Sequence, residues 1–163
     1  MPLSEFLSAQ RIVVLDDAGS RDAVIDAAAR LLVDGTGGDA AAIADSLRQR
    51  ERMGSTAIGH GVAIPHGRNA AFDTTRAAFL RLSPPVEFNS ADGEPVDLVF
   101  AMAVPADFNQ QHLQLLSDIA EHCADPGFRA ALRQARDVQA LRAILLATPA
   151  TQARGLDGVA SLG

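Results

Sequence analysis

The amino-acid sequence predicts an α/β layered domain with helices on both faces of a sheet. Three observations lead there. The periodicity runs strand, two helices, several strands, three helices. Residues Leu98 to Val104 form a nearly continuous apolar run, the pattern of an interior strand covered on both sides. Hydrophobic residues make up 48% of the chain but aromatics only 4%, so the core must be built mainly from Leu, Ile, Val and Ala, which suits helices laid over an aliphatic sheet. At 163 residues the chain fits one ordinary domain and can bury a core without staples.

The elements follow in order. Arg11 to Leu15 (RIVVL) is a β-branched run closed by Asp16, Asp17 and Gly19, a first strand and its turn. Ser20 can cap a helix with Asp22 in its first turn, an apolar stripe through Val24, Ala28, Leu31 and Leu32, and Gly35 as the stop. Asp39 caps a second helix that turns Ile43 and Leu47 inward and ends near the polar run Arg48 to Arg52. The glycine-rich AIGHGVAIPHG and the runs RAAFLRL and PVDLVFAMAVP read as strands, the last two separated by Pro84, Pro85, Asn89 and Gly93. From Asn109 the period is helical again, with Leu113, Leu116, Ile119, Ala120 and Cys123 on one face, then Phe128, Ala131 and Leu132, then Val138, Leu141, Ile144 and Leu145. The expected domain is 1–148, and 149–163, small and polar without a period, is expected to be a flexible tail.

Bulk charge and cysteine usage narrow the function classes. The formal charge of −6 repels phosphate backbones at long range, which argues against nucleic acid as a partner. One cysteine, Cys123, can form neither an internal disulfide nor a thiolate cluster and fits a reducing compartment, so a cytoplasmic location is expected. The amino terminus has no signal-like pattern and no apolar stretch approaches the ~20 residues of a membrane span, so membrane insertion is not expected.

The chemistry centres on four histidines, the side chains whose unperturbed pKa lies near neutrality. His66 sits in VAIPHGR, where Pro65 restricts the backbone before it and Gly67 permits tight or positive-φ geometry after it. A neutral imidazole presented this way can attack phosphorus and leave again, as phosphoryl relay requires, while the plainer alternative is a structural turn residue. His112, with Asn109 as N-cap, falls in the first turn of a helix, where free N–H groups and the dipole favour anions; a solvent-facing polar residue is the alternative. Arg50 could offer a forked donor set to a phosphoryl group, with Ser55 and Thr56 adding hydroxyls, or it could be part of a solvated helix end. His60, in IGHG, and His122, beside Cys123, lack metal-ligand spacing, and neither a metal nor a cofactor is expected.

Three segments together, RERMGSTAIGHGVAIPHGR, PVDLVFAMAVP and HLQLL, resemble the enzyme IIA domains of the mannitol, fructose and nitrogen-regulatory class of the phosphotransferase system, most of all the nitrogen-regulatory members. The resemblance implies a three-layer α/β/α sandwich around a mixed sheet. It implies that His66 is the phosphorylated histidine, His112 the second active-site histidine and Arg50 an arginine lining the same site. An HPr-like phosphocarrier would be the donor, and regulatory target proteins or a IIB domain would be the next partners. His60 departs from the asparagine common between the two glycines in related sequences; it is expected to line the approach to His66 or to serve the glycine turn. Three functions remain open: a phosphorylation-dependent regulator, which RERMGST favours; a sugar-specific IIA passing phosphate to IIB; and a metal- or ligand-binding module never phosphorylated. Met53, Ile58 and Phe108 are candidates for an apolar docking surface, each with a core role as the alternative, favoured for Ile58.

Overall fold

A computed structural model describes residues 3–107 and 110–148, apart from the side chains of Gln111 and His112. After two single-turn 3-10 helices, Leu3–Glu5 and Ala9–Arg11, come β1 (Ile12–Asp16), α1 (Arg21–Leu32) and α2 (Ala40–Arg52). Next are β2 (Ala57–Gly59), β3 (Val62–Ala63), β4 (His66–Arg68), β5 (Arg76–Val86) and β6 (Val96–Val104). The helices α3 (Gln110–Ala124), α4 (Pro126–Gln134) and α5 (Val138–Ala147) complete the order. The helix starts are encoded locally: Ser20 Oγ accepts the Ala23 N–H, and Asp39, Asp125 and Asp137 carboxylates accept those of Ala41, Gly127 and Ala140. The expected cap of α3, Asn109, lies outside the described residues.

The sheet is mixed, in the order β1-β5-β6-β3-β2, with β4 also on β6. β1 runs parallel to β5, β5 antiparallel to β6, and β6 parallel to both β3 and β4. Period-2 alternation along β5 and β6 divides the core in two. Ala78, Leu80, Leu82, Val99, Ala101 and Ala103 face α1 and α2, which contribute Val24, Ile25, Leu32, Ile43 and Leu47. Ala77, Phe79, Leu98, Phe100, Met102 and Val104 face α3, α4 and α5 through Leu115, Ile119, Leu132, Leu141 and Leu145. The rings of Phe79 and Phe100 meet edge to face, 4.9 Å between centroids, on that second face. The three-layer α/β/α sandwich is therefore realised, with β6 buried from Leu98 to Val104.

Three local expectations are corrected. β5 does not stop before Pro84 and Pro85 but carries them to Val86, across a register shift between Arg81 and Val86; at such an irregularity the missing proline N–H breaks no regular ladder bond. Helix α3 turns Leu116, Ile119, Ala120 and Cys123 to the core as expected, but Leu115 joins them in place of Leu113, which is 50% exposed. Ile58 is exposed too, at 44%, because β2 is the sheet's outermost strand. Among the described residues no helix is long and apolar enough to cross a membrane.

Candidate active site

β3 and β4 are one strand with a two-residue interruption. Val62 and Ala63 pair with Leu98 and Val99 of β6, and His66, Gly67 and Arg68 pair in the same register with Met102, Ala103 and Val104. Between them Ile64 and Pro65 leave the strand. Pro65 cannot donate, but its carbonyl accepts the Met102 N–H at 2.9 Å, so the register survives. The Ile64 carbonyl is thereby free for a side chain, and His66 Nδ1 lies 2.9 Å from it.

A carbonyl only accepts, so Nδ1 of His66 carries the proton and donates it. In the neutral ring the lone pair is then on Nε2. Burial pushes the His66 pKa below its ordinary value of 6.5; the bond to Ile64 opposes this, the Arg50 guanidinium reinforces it and the Glu51 carboxylate opposes it. At neutral pH the ring is held uncharged.

His66 is half-buried in an open cleft of about 420 Å³ lined by Ser46, Gln49, Arg50 and Met53 of the α2 end and by His66, Gly67, Arg68 and Val104. The close seating of α2 on β4 depends on Gly67. A Cβ there would overlap the Ser46 hydroxyl and come within 3.0 Å of the Ser46 carbonyl carbon. That hydroxyl donates to the Arg68 carbonyl at 2.8 Å. Close approach, not a positive φ, is thus the reason for glycine after His66. Arg50 Nη1 donates to the Gly54 carbonyl at 2.8 Å, which ties the guanidinium to the turn after its own helix.

Of the sequence-nominated residues, Arg50 and His66 share this cleft. His66 pairs with Met102, whose side chain belongs to the sheet face covered by α3. His112 is in the first turn of α3, which starts soon after the end of β6, although its side chain is outside the described residues. Ser55 and Thr56 are not cleft donors: Ser55 Oγ donates to the Phe88 carbonyl at 2.6 Å and Thr56 Oγ1 to Glu51. His60 does not line the approach to His66. It occupies the β2–β3 turn at the start of β6, and the four residues from Leu98 to Met102 put roughly 13 Å along the strand between the two ends. Its φ is 58°, between Gly59 and Gly61, also at positive φ, a backbone region that asparagine enters readily among non-glycine residues. His122 packs its ring 5.6 Å from that of Phe128. Among the described residues no group of three His, Cys, Asp or Glu side chains could hold a metal.

Of the cleft residues that the sequence did not single out, Ser46, Gln49, Arg68 and Val104, Arg68 is the charged one. The signal was present, since a residue two beyond His66 on a strand shares its face.

Comparisons with known proteins give the family. A family model described as phosphoenolpyruvate-dependent sugar phosphotransferase system, EIIA 2, matches residues 5–148. The chain is similar to the nitrogen regulatory protein of Bradyrhizobium diazoefficiens, 36% identical over 153 residues that make up 94% of this chain and 100% of the relative. The nitrogen regulatory protein of Pseudomonas aeruginosa is 37% identical, over 88% of this chain and 94% of its own. Among solved structures, the nitrogen regulatory protein IIA-Ntr from Neisseria meningitidis superposes with a TM-score of 0.81 at 37% identity, covering 88% of this chain and 98% of that one. The chain belongs to the EIIA 2 family of the phosphotransferase system. It is a phosphotransfer component of the nitrogen-regulatory type.

Proposed function

We propose that His66 accepts a phosphoryl group from the phosphohistidine of an HPr-like carrier, in the cytoplasm, and that the phosphorylation state of the chain sets which regulatory targets it binds. The observation that carries this is the Nδ1–H bond to Ile64, which leaves the lone pair on Nε2 of a ring kept neutral beside Arg50. In the step, the Nε2 lone pair forms the new N–P bond while the donor's N–P bond breaks and its electron pair returns to the donor imidazole. The His66 ring becomes cationic, keeps its Nδ1 proton on Ile64, and is balanced by the dianionic phosphoryl group. Arg50 contributes fixed positive charge to the phosphoryl oxygens, and His112 is proposed as a further donor to them from the first turn of α3.

The test is incubation with enzyme I, phosphoenolpyruvate and an HPr-like carrier. The wild-type chain takes up label that is lost in acid and stable in alkali, as a phosphoramidate is, and folded His66→Ala takes up none. Undiminished labelling of that variant removes His66 from its role. A chase with IIB domains distinguishes the regulator from a sugar-specific IIA: transfer to a IIB cysteine would favour the sugar branch.

A further inference from the structure

We infer that Glu51, acting through Thr56, is a positioning residue for His66: it anchors the backbone carbonyl that decides which imidazole nitrogen carries the proton. The inference rests on His66 as phosphoryl acceptor only for its functional consequence.

The chain of contacts is continuous. Glu51 is 6% exposed, and its carboxylate accepts the Thr56 N–H at 3.3 Å on both oxygens and the Thr56 hydroxyl proton on Oε1. The nearest cation is Arg21, at 3.8 Å. Thr56, so held, presents its carbonyl to the Ile64 N–H at 3.0 Å, closing the base of the β2–β3 hairpin. Ile64 in turn offers its carbonyl to His66 Nδ1 at 2.9 Å. The end of α2 also holds the cation of the site, through the backbone and independently of the carboxylate: the Gly54 N–H donates to the main-chain carbonyl of Glu51 at 3.1 Å, and the Gly54 carbonyl holds Arg50 Nη1.

A carboxylate buried this completely is costly unless hydrogen-bonded; a neutral amide would cost less to bury but is a weaker acceptor, and an apolar side chain would leave both Thr56 donors unpaired. What only the charge supplies is a strong acceptor for two Thr56 donors at once and a negative potential beside the ring. Its second effect is to oppose burial and Arg50, keeping the His66 pKa from falling further. Among the described residues, the groups around His66 are Arg50 and Glu51 from α2, Arg68 from its own strand, and the uncharged Met102 and Val104 of β6; the side chain of His112 lies outside them.

Nitrogen-15 NMR of the imidazole reads the arrangement directly, without any phosphoryl donor. In the wild-type chain above its pKa, His66 shows the Nδ1–H tautomer; an Nε2–H tautomer there overturns the inference even if no variant folds. Glu51→Gln lowers the His66 pKa and mixes the two tautomers, and phosphoryl uptake slows on the order of tenfold at unchanged KM for the carrier. Thr56→Ser preserves tautomer and rate, whereas Thr56→Val, which keeps shape but loses the hydroxyl donor, shifts the tautomer in the same direction as Glu51→Gln. Folded Glu51→Gln and Thr56→Val proteins that keep the wild-type tautomer and pKa overturn the inference. Tautomer shifts in a chain that takes up no phosphoryl group would leave the positioning role standing and remove the proposed function.

Discussion

A half-buried histidine whose proton is held on Nδ1 by a carbonyl is useful as a nucleophile only while it is neutral. Burial and Arg50 lower its pKa, so the charged form is disfavoured in the folded chain. Uptake of phosphoryl groups is therefore expected to be flat from above pH 6.5 into the alkaline range and to fall only as the pH drops through the depressed pKa. A pH–rate profile with its inflection above 6.5 would contradict this. The linked stability has the same direction. Below 6.5 the unfolded chain binds a proton that folded His66 takes up only at lower pH, so the contribution of His66 is full above 6.5 and is lost as pH falls towards the folded pKa. Gly67 is the other residue whose role is set by its immediate contacts. Gly67→Ala places a methyl group against the Ser46 backbone, which cannot yield as a side-chain tip would. The expected cost is about 1–3 kcal/mol in denaturant unfolding, with slower uptake because α2 and Arg50 are pushed off β4. An unchanged unfolding midpoint would show that α2 shifts freely.

At the scale of elements, the decisive feature is the β2–β3–β4 segment, in which a tight hairpin leads into a strand broken at Ile64–Pro65. The hairpin is held from outside by Asp92, which accepts the backbone N–H of His60 at 3.0 Å and that of Glu94 at 3.0 Å, as well as the Ser90 hydroxyl. The Glu94 and His60 N–H donors and then Ser90 hold the Asp92 carboxyl down to about 2. Arg133 of α4 closes the same corner on the His60 carbonyl and on Asp97. The hydrogen bonds use the His60 backbone and not its ring. His60→Asn is expected to keep both stability and phosphoryl uptake, and His60→Val, forced to positive φ, to lose about 1–2 kcal/mol in thermal or denaturant unfolding while keeping its tautomer at His66. Lost uptake in a stable His60→Asn chain would return His60 to the site.

On the scale of the whole molecule, the site is a small cationic cleft on an acidic protein. Arg50 and Arg68 line it while the chain carries −6 overall, a contrast that, under the proposed function, would favour a phosphoryl group in the cleft and a carrier with positive charge. Met53 stands at the rim, 83% exposed, so its apolar side chain buries little within this chain. Met53→Asp is expected to leave the melting temperature nearly unchanged, as surface substitutions do, and to weaken transfer from the carrier. Raised salt should slow transfer in both proteins by screening the approach. A Met53→Asp chain that accepts phosphate at the wild-type rate would place the carrier elsewhere. Phe108, the companion candidate, lies outside the described residues.

What could be read from the sequence was whatever is encoded within a few neighbours. Caps at Ser20 and Asp39 and the two-sided burial of β6 follow from local chemistry, the layered order follows from the sequence of periods, and Pro65 marks where the chain departs from the strand before His66, whereas the need for Gly67 came from the approach of Ser46. Other features depended on partners distant in the chain. At the first turns of α3, packing against the sheet buried Leu115 and exposed Leu113, because a helical period fixes spacing without deciding which residue at the margin of the apolar face is covered. Pro84 and Pro85 stayed within β5 because the ladder is irregular there, which no property of the prolines announces. Thr56 and Ser55 looked like phosphate donors until Glu51 and the Phe88 carbonyl claimed their hydroxyls. The tautomer of His66 was likewise undetermined until folding brought a carbonyl to Nδ1, since a ring nitrogen has no preferred role until something else in the fold binds the other one.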